Sequence, residues 1–475
     1  MFRPSALRPL TLLALALALS ACEQTDAPRF SAAEPGEQLS AGAATVNKFD
    51  QNAFSLPSAN LSPLRRLDFS VGNSFFRNPW VIAPASTDAR DGLGPLFNTN
   101  ACQNCHIKDG RGHPPGSRGD NAVSSLVRLS IPARPGQEAL LERQGLIPEP
   151  VYGGQLQDVA IPGVAPEGKL RVSYRSEVVT LKDGTRVELQ QPQLEIGQLG
   201  YGALHPDTRL SLRVAPPMIG LGLLEAIPEA AILANADPDD ADGDGISGRA
   251  NRVWDHASQS TRLGRFGWKA GQPSLNQQNA DAFFNDMGLS TSLLAGSSCT
   301  AAQTDCHNVP HGGVPEVSDN ILAQVLFYTR NLGVPARRGV DDPQVLKGKG
   351  LFHQAGCQGC HTPSFTTASD AAEPELAGQT IRPYSDLLLH DMGDGLADNR
   401  DEFLASGREW RTPPLWGIGL TETVNGHTRF LHDGRARNLL EAILWHGGEA
   451  EAARQKVMAF DAEQRAALLA FLNSL

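Results

Sequence analysis

Two periodicities organise the chain. Between about residues 125 and 212 apolar and polar positions alternate, as in VSSLVRLSIP and LRVSYRSEVVTLKDGTRVEL, with Asp183-Gly184 at a hairpin turn, which predicts a β-rich insertion. From Arg213 onward the pattern reads helical. DAEQRAALLAFLNSL predicts a C-terminal helix that Asp461 caps while Gln464 reaches back, with Leu468, Leu469, Phe471 and Leu472 on one apolar face. In NLLEAILWHGGEA, Leu439, Leu440, Ile443 and Leu444 form another such face and Gly447-Gly448 end it, leaving His446 at a helix terminus able to turn inward. The predicted fold class is mainly α with a β-rich insertion.

The N-terminus follows neither pattern. Arg3 and Arg8 precede the apolar run PLTLLALALAL, which closes in Leu19-Ser20-Ala21-Cys22. That order is a bacterial lipoprotein signal over 1–21; a retained membrane helix is the other reading, but the run is short for a bilayer. Lipidation of Cys22 would anchor the chain by lipid alone, and Glu23 favours the outer membrane by analogy with enterobacterial sorting. Residues 22–62, polar and rich in Ala, Ser and Gly, read as a tether.

Composition narrows the partners. A chain of 475 residues is long enough for two or three domains, and 47 Gly with 33 Pro predict short elements joined by long ordered loops. The net charge of −11 argues against nucleic acid and anionic lipid, and permits a small basic protein.

Of seven cysteines, Cys22 is the lipid candidate and four lie in two Cys-x-x-Cys-His motifs, Cys102/Cys105/His106 and Cys357/Cys360/His361. Cys299 and Cys306 remain, a pair that an oxidising periplasm would bridge, free thiols being the alternative. Thioether bonds to two haem vinyls need thiols one helical turn apart, and the next histidine then points its imidazole at the iron. Both motifs follow an apolar Leu-Phe pair (GPLFNTNAC, GLFHQAGC), so two covalent haem c groups are the expectation, against a zinc or dithiol reading.

The chain resembles the bacterial di-haem cytochrome c peroxidase superfamily and, within it, the di-haem oxidoreductase family, sometimes called thiol oxidoreductases. The blocks that carry this are FFRNPWVIAPASTDARDGLGPLFN, RFGWKAGQPSLNQQNADAFFNDMG, PYSDLLLHDMGDGLAD and RTPPLWGIG…RFLHDGRARNLLEAILWHGGEA. No spare Cys-x-x-Cys supports the thiol name. The resemblance implies two facing cytochrome-c-like haem domains, here 63–335, carrying the insertion, and 336–475. One haem would be six-coordinate for electron entry and the other open to peroxide.

The resemblance also assigns residues. RFGWKA followed by LNQQ puts Trp268 between the haems, with Trp80 as competitor and packing as the plainer role. Asp286, before Met287, stands for the distal acid/base, with Glu225 in reserve; either could instead be a cap or a surface carboxylate. His446 occupies the place where the peroxidases carry a distal Met for the second haem and the amine-dehydrogenase maturation enzyme a Tyr, and His390, Met392 and His432 compete with it. His113 is the histidine nearest the first motif. An inter-haem calcium would use Thr412 and Pro414, though Val214 replaces the expected Asn. A second calcium candidate is DADGDGISGRAN, with Asp240, Asp242 and Asp244 in loop positions and Asn251 where a bidentate carboxylate belongs, an Asp/Gly turn being the alternative. The function so implied is a periplasmic peroxidase-like enzyme. A small redox protein, of cytochrome c or cupredoxin type, would feed the C-terminal haem, and hydrogen peroxide by default would be reduced at the N-terminal one. A di-haem electron carrier, or an oxidase of a protein or organic substrate, is the alternative.

Overall fold

The computed structural model describes residues 30–87, 89–116 and 123–475; the expected signal segment 1–21 and Cys22 lie outside them. Helix makes up 30% and strand 18%, so the mainly α expectation is wrong, and no cytochrome-c-like helical domain is evident around either motif. The Gly and Pro content explains why: elements stop early, the sheets are all two-stranded, and the spans between them are long ordered loops. In the stretch beyond Arg213, read as helical, Arg252–Asp255 pairs with Ser260–Leu263 as a hairpin; helix appears at Leu275–Met287 and Asp319–Arg330.

The region read as β-rich contains two ladders. Ser125–Ser130 pairs with Arg209–Val214, and a long hairpin joins Lys169–Thr180 to Arg186–Gly197, in register from Lys169↔Gly197 to Thr180↔Arg186. Its tip reaches far along the chain. Lys182 N donates to Met458 O at 3.0 Å, and Asp183 pairs with Arg465 at 2.6 Å.

Two helix pairs frame the motifs, and each crosses at a glycine. Pro63–Arg77 meets Asp319–Arg330 at Gly72, where an added Cβ would lie 2.2 Å from Gln324 O. Pro343–Ala355 meets Ala462–Ser474 at Gly348, where it would lie 2.0 Å from Ala467 O. The C-terminal helix carries the expected reciprocal cap of Asp461 and Gln464.

The cores do not divide at residue 335. The largest joins Leu181, Leu189, Val214 and Trp268 to Phe352, Leu444, Leu468 and Phe471. Another joins Ala41 and Phe54 to Ile219, Leu275, Leu388 and Trp416. Residues 30–62 therefore belong to the folded body and are not tether: Thr45–Val46 pairs in parallel with Val334–Pro335, and buried Glu37 pairs with Arg337 and, at 2.9 Å, with Lys349. No helix among the described residues is long and apolar enough to cross a membrane.

Candidate functional site

The residues of both motifs line one continuous cavity of about 650 Å³. Cys102–Cys105 is a single helical turn, and His106 N donates to Cys102 O at 3.0 Å. The second motif follows Gly356, whose left-handed φ of 91° ends helix Pro343–Ala355 and swings the chain into a 3-10 turn at Cys357–Gly359. His361 N donates to Cys357 O at 2.9 Å, so each Cys-x-x-Cys brings its thiols to one side of one turn.

The hydrogen bonds of the imidazoles fix which nitrogen is free. His106 Nδ1 lies 2.8 Å from Pro216 O, His361 Nδ1 2.9 Å from Tyr384 O, and His446 Nδ1 2.8 Å from Ala442 O. A carbonyl only accepts, so Nδ1 carries the proton in all three rings and Nε2 keeps its lone pair. Burial lowers the pKa of His106 and of His361 to about 4, and lowers that of His446 as well. The three are neutral imidazoles on the cavity wall, the form a metal requires.

Of the competing ligands, His390 is otherwise occupied. His390 lines the cavity, but its Nε2 is 2.8 Å from Asp386 Oδ2 and its Nδ1 2.7 Å from Glu449 Oε2. Burial alone would depress its pKa; the carboxylates outweigh burial and raise it well above the usual value. Its ring is an imidazolium clamped between two anions, with no lone pair to give. His432 is buried against Trp410, while half-buried His113 points Nδ1 at Pro114 O and does not line the cavity. Met392 lines it, and its backbone is held by Arg408 O.

Aromatic residues fill the wall between the motifs. Trp268 Nε1 donates to Val214 O at 2.9 Å, and the ring meets His432 edge-on at 6.5 Å; His432 stacks on Trp410 at 3.6 Å and 10°. Trp80 is core: it packs edge-on against Phe283 and does not line the cavity. Sequence reasoning missed Trp410. Its signal lay in strand pairing, which sets Trp410 opposite His390 across Leu389–Asp391 and Glu409–Arg411.

Asp286, on the last turn of Leu275–Met287, lines the cavity beside the first motif and accepts from Gln155 Nε2 at 2.8 Å. Burial pushes its pKa up to about 6, against the opposing pull of Arg128. Glu225 does not line the cavity: it accepts from Leu275 N at 2.8 Å, at the start of the helix that carries Asp286, and pairs with Arg330 at 2.6 Å.

The calcium candidates change. Thr412 O already accepts from Ser385 Oγ at 2.7 Å and from the Arg411 guanidinium at 3.2 Å, and Val214 offers no side-chain oxygen, so Thr412 does not fit an inter-haem cation. In the acidic loop the carboxylates that converge are Asp237, Asp240 and Asp242; Asp244 instead accepts from Ile246 N.

Cys299 and Cys306 form a disulfide, whereas the motif cysteines are unpaired. Burial pushes the Cys102 and Cys357 thiols up to about 12 and raises Cys105 and Cys360 too, the opposite of an activated dithiol. Two unactivated thiol pairs, each beside a neutral histidine with a free Nε2 on a shared cavity, fit a pair of haems. Compared with known families, residues 37–475 match the model described as "Di-haem oxidoreductase, putative peroxidase". No curated protein and no solved structure matches the chain.

Proposed function

Because the chain belongs to the di-haem oxidoreductase family, we propose that it is a periplasm-facing, lipid-anchored peroxidase-like enzyme that passes electrons from the haem at His361 to hydrogen peroxide at the haem of His106. The observation that carries this is the shared cavity, lined by both motifs and by the Trp268, His432 and Trp410 rings. When bound, the haems supply one-electron iron chemistry and a coordination face at which peroxide is reduced to two waters by two electrons and two protons. The thiols of Cys102, Cys105, Cys357 and Cys360 would hold them by thioether bonds. His106 would ligate the first iron, and His361 with His446 the second. Asp286 would move a proton between the peroxide oxygens, and the aromatic residues shorten the electron's path. A small redox protein is the donor. The Cys299–Cys306 disulfide supports an oxidising compartment.

The test is a purified full chain: haem count by pyridine haemochrome, the high-spin fraction in the visible spectrum, and reoxidation of the reduced protein by peroxide. Two haems per chain, some high-spin iron and fast reoxidation are expected. Low-spin iron throughout with no peroxide reaction would make the chain an electron carrier. Fast reaction only with an organic or protein substrate would make it an oxidase.

A further inference from the structure

We infer that Arg111 and Arg411 are paired carboxylate receptors beside Trp268, built to take up haem propionates, one from each haem. This rests on the di-haem reading of the site.

Six arginines line the cavity, and four have a carboxylate: Arg128 with Asp281 at 3.4 Å, Arg213 with Glu402 at 2.9 Å, Arg400 with Glu402 at 2.7 Å, and Arg454 with Glu451 at 3.1 Å. Arg111 and Arg411 have none within 4 Å among the described residues, Asp433 and Asp386 acting on them only at longer range, yet they are 9% and 7% exposed. A buried cation without an anion in contact is costly, and neutral carbonyls compensate only part of the lost hydration. Burial lowers both guanidinium pKa values, but only to about 10, so both stay charged at neutral pH.

Their hydrogen bonds leave the deficit open. Arg111 donates from Nη2 to Leu431 O, and its Nε is buried with no partner. Arg411 donates from Nε to Gly267 O at 2.9 Å and from Nη1 to Thr412 O at 3.2 Å. The two flank Trp268 differently: the Arg111 guanidinium carbon lies 5.7 Å from the indole centroid, whereas Arg411 holds the backbone there, its own N donating to Trp268 O at 2.9 Å and its Nε to the neighbouring Gly267 O. Each belongs to one motif. Arg111 follows His106 by five positions, while Arg411 feels the charge of Asp386, whose N donates to Cys360 O at 3.0 Å. A planar fork suits a carboxylate, and haem brings carboxylates to the cavity without any further ligand.

The experiment uses the full-length holoprotein and its Arg111→Leu, Arg411→Leu, Arg111→Lys and Arg411→Lys variants. Haem is counted first, and a wild type without covalent haem overturns both this inference and the reading beneath it. With two haems present, each midpoint potential is followed against pH, and the propionate bending band is recorded by resonance Raman. Losing the cation should favour ferric iron at that haem about tenfold, a fall of about 59 mV, with a new pH slope as the released propionate titrates. Arg111→Leu should move only the His106 haem, and Arg411→Leu only the His361 haem. The Raman band should shift in the same haem, and in the Lys variants too, because Lys keeps the charge but loses the fork. If a Leu variant fails to mature, its Lys counterpart decides by the band. Unmoved potentials, or moved potentials with an unmoved band, overturn the assignment while leaving the di-haem reading intact.

Discussion

Asp286 shows how one buried carboxyl acquires a working pKa. Burial holds it at about 6, so it is ionised at neutral pH yet able to keep a proton briefly. The inner peroxide oxygen must lose its proton first, so the active form is the carboxylate, and peroxide turnover should rise with pH through about 6 and then level off. Asp286→Asn should lower kcat/KM by about 10²–10⁴-fold and abolish that rise with haem content unchanged, as stopped-flow mixing at several pH values will read. A rate unaffected by the change would return Asp286 to a packing role. His446 gives a second test. Thioether is a weaker donor to ferric iron than imidazole, so His446→Met should raise the potential of the His361 haem and leave the other unmoved, as spectroelectrochemistry will read. At this scale the sequence was legible where spacing is local, as in the two motifs, each of which closes on one turn. It was opaque where strand pairing brings distant residues together, as with His390 and Trp410. The sequence could not choose between the roles open to Glu225, because its neighbours say nothing of Arg330, 105 positions away.

Among elements, the glycine crossings are the most exacting contacts. The backbone of Pro343–Ala355 lies so close to Ala462–Ser474 at Gly348 that a methyl group has no room. Gly348→Ala should therefore cost about 1–3 kcal/mol and lower the thermal midpoint measured by circular dichroism. Gly154→Ala, where an added Cβ meets nothing within 4 Å, should leave the midpoint in place. An equal loss in both variants would show that crowding at the crossing is not the cause. The C-terminal helix and the long hairpin could be read from sequence because cap, turn and period are local signals. The overall class could not: helices at 439–444 and 462–474 were locally clear, but the long irregular spans hold together through contacts that no local period records.

For the molecule as a whole, the intermixing of cores makes the halves interdependent. A fragment of residues 336–475 loses Leu181, Leu189, Val214 and Trp268 from its largest core and should not fold alone; broad, poorly dispersed amide resonances are expected. A well-dispersed spectrum would restore an independent C-terminal domain. The same intermixing has a bearing on manufacture. Thr45 pairs beside Val334, the hairpin tip grips Met458 and Arg465, and the final helix lends Leu468 and Leu472 to the cavity wall. Pairings so distant along the chain form late, because a long loop must close before they can contribute. The helix Ala462–Ser474 is thus among the parts that latch the box late, and whatever the box is to carry has to be put in while it still stands open.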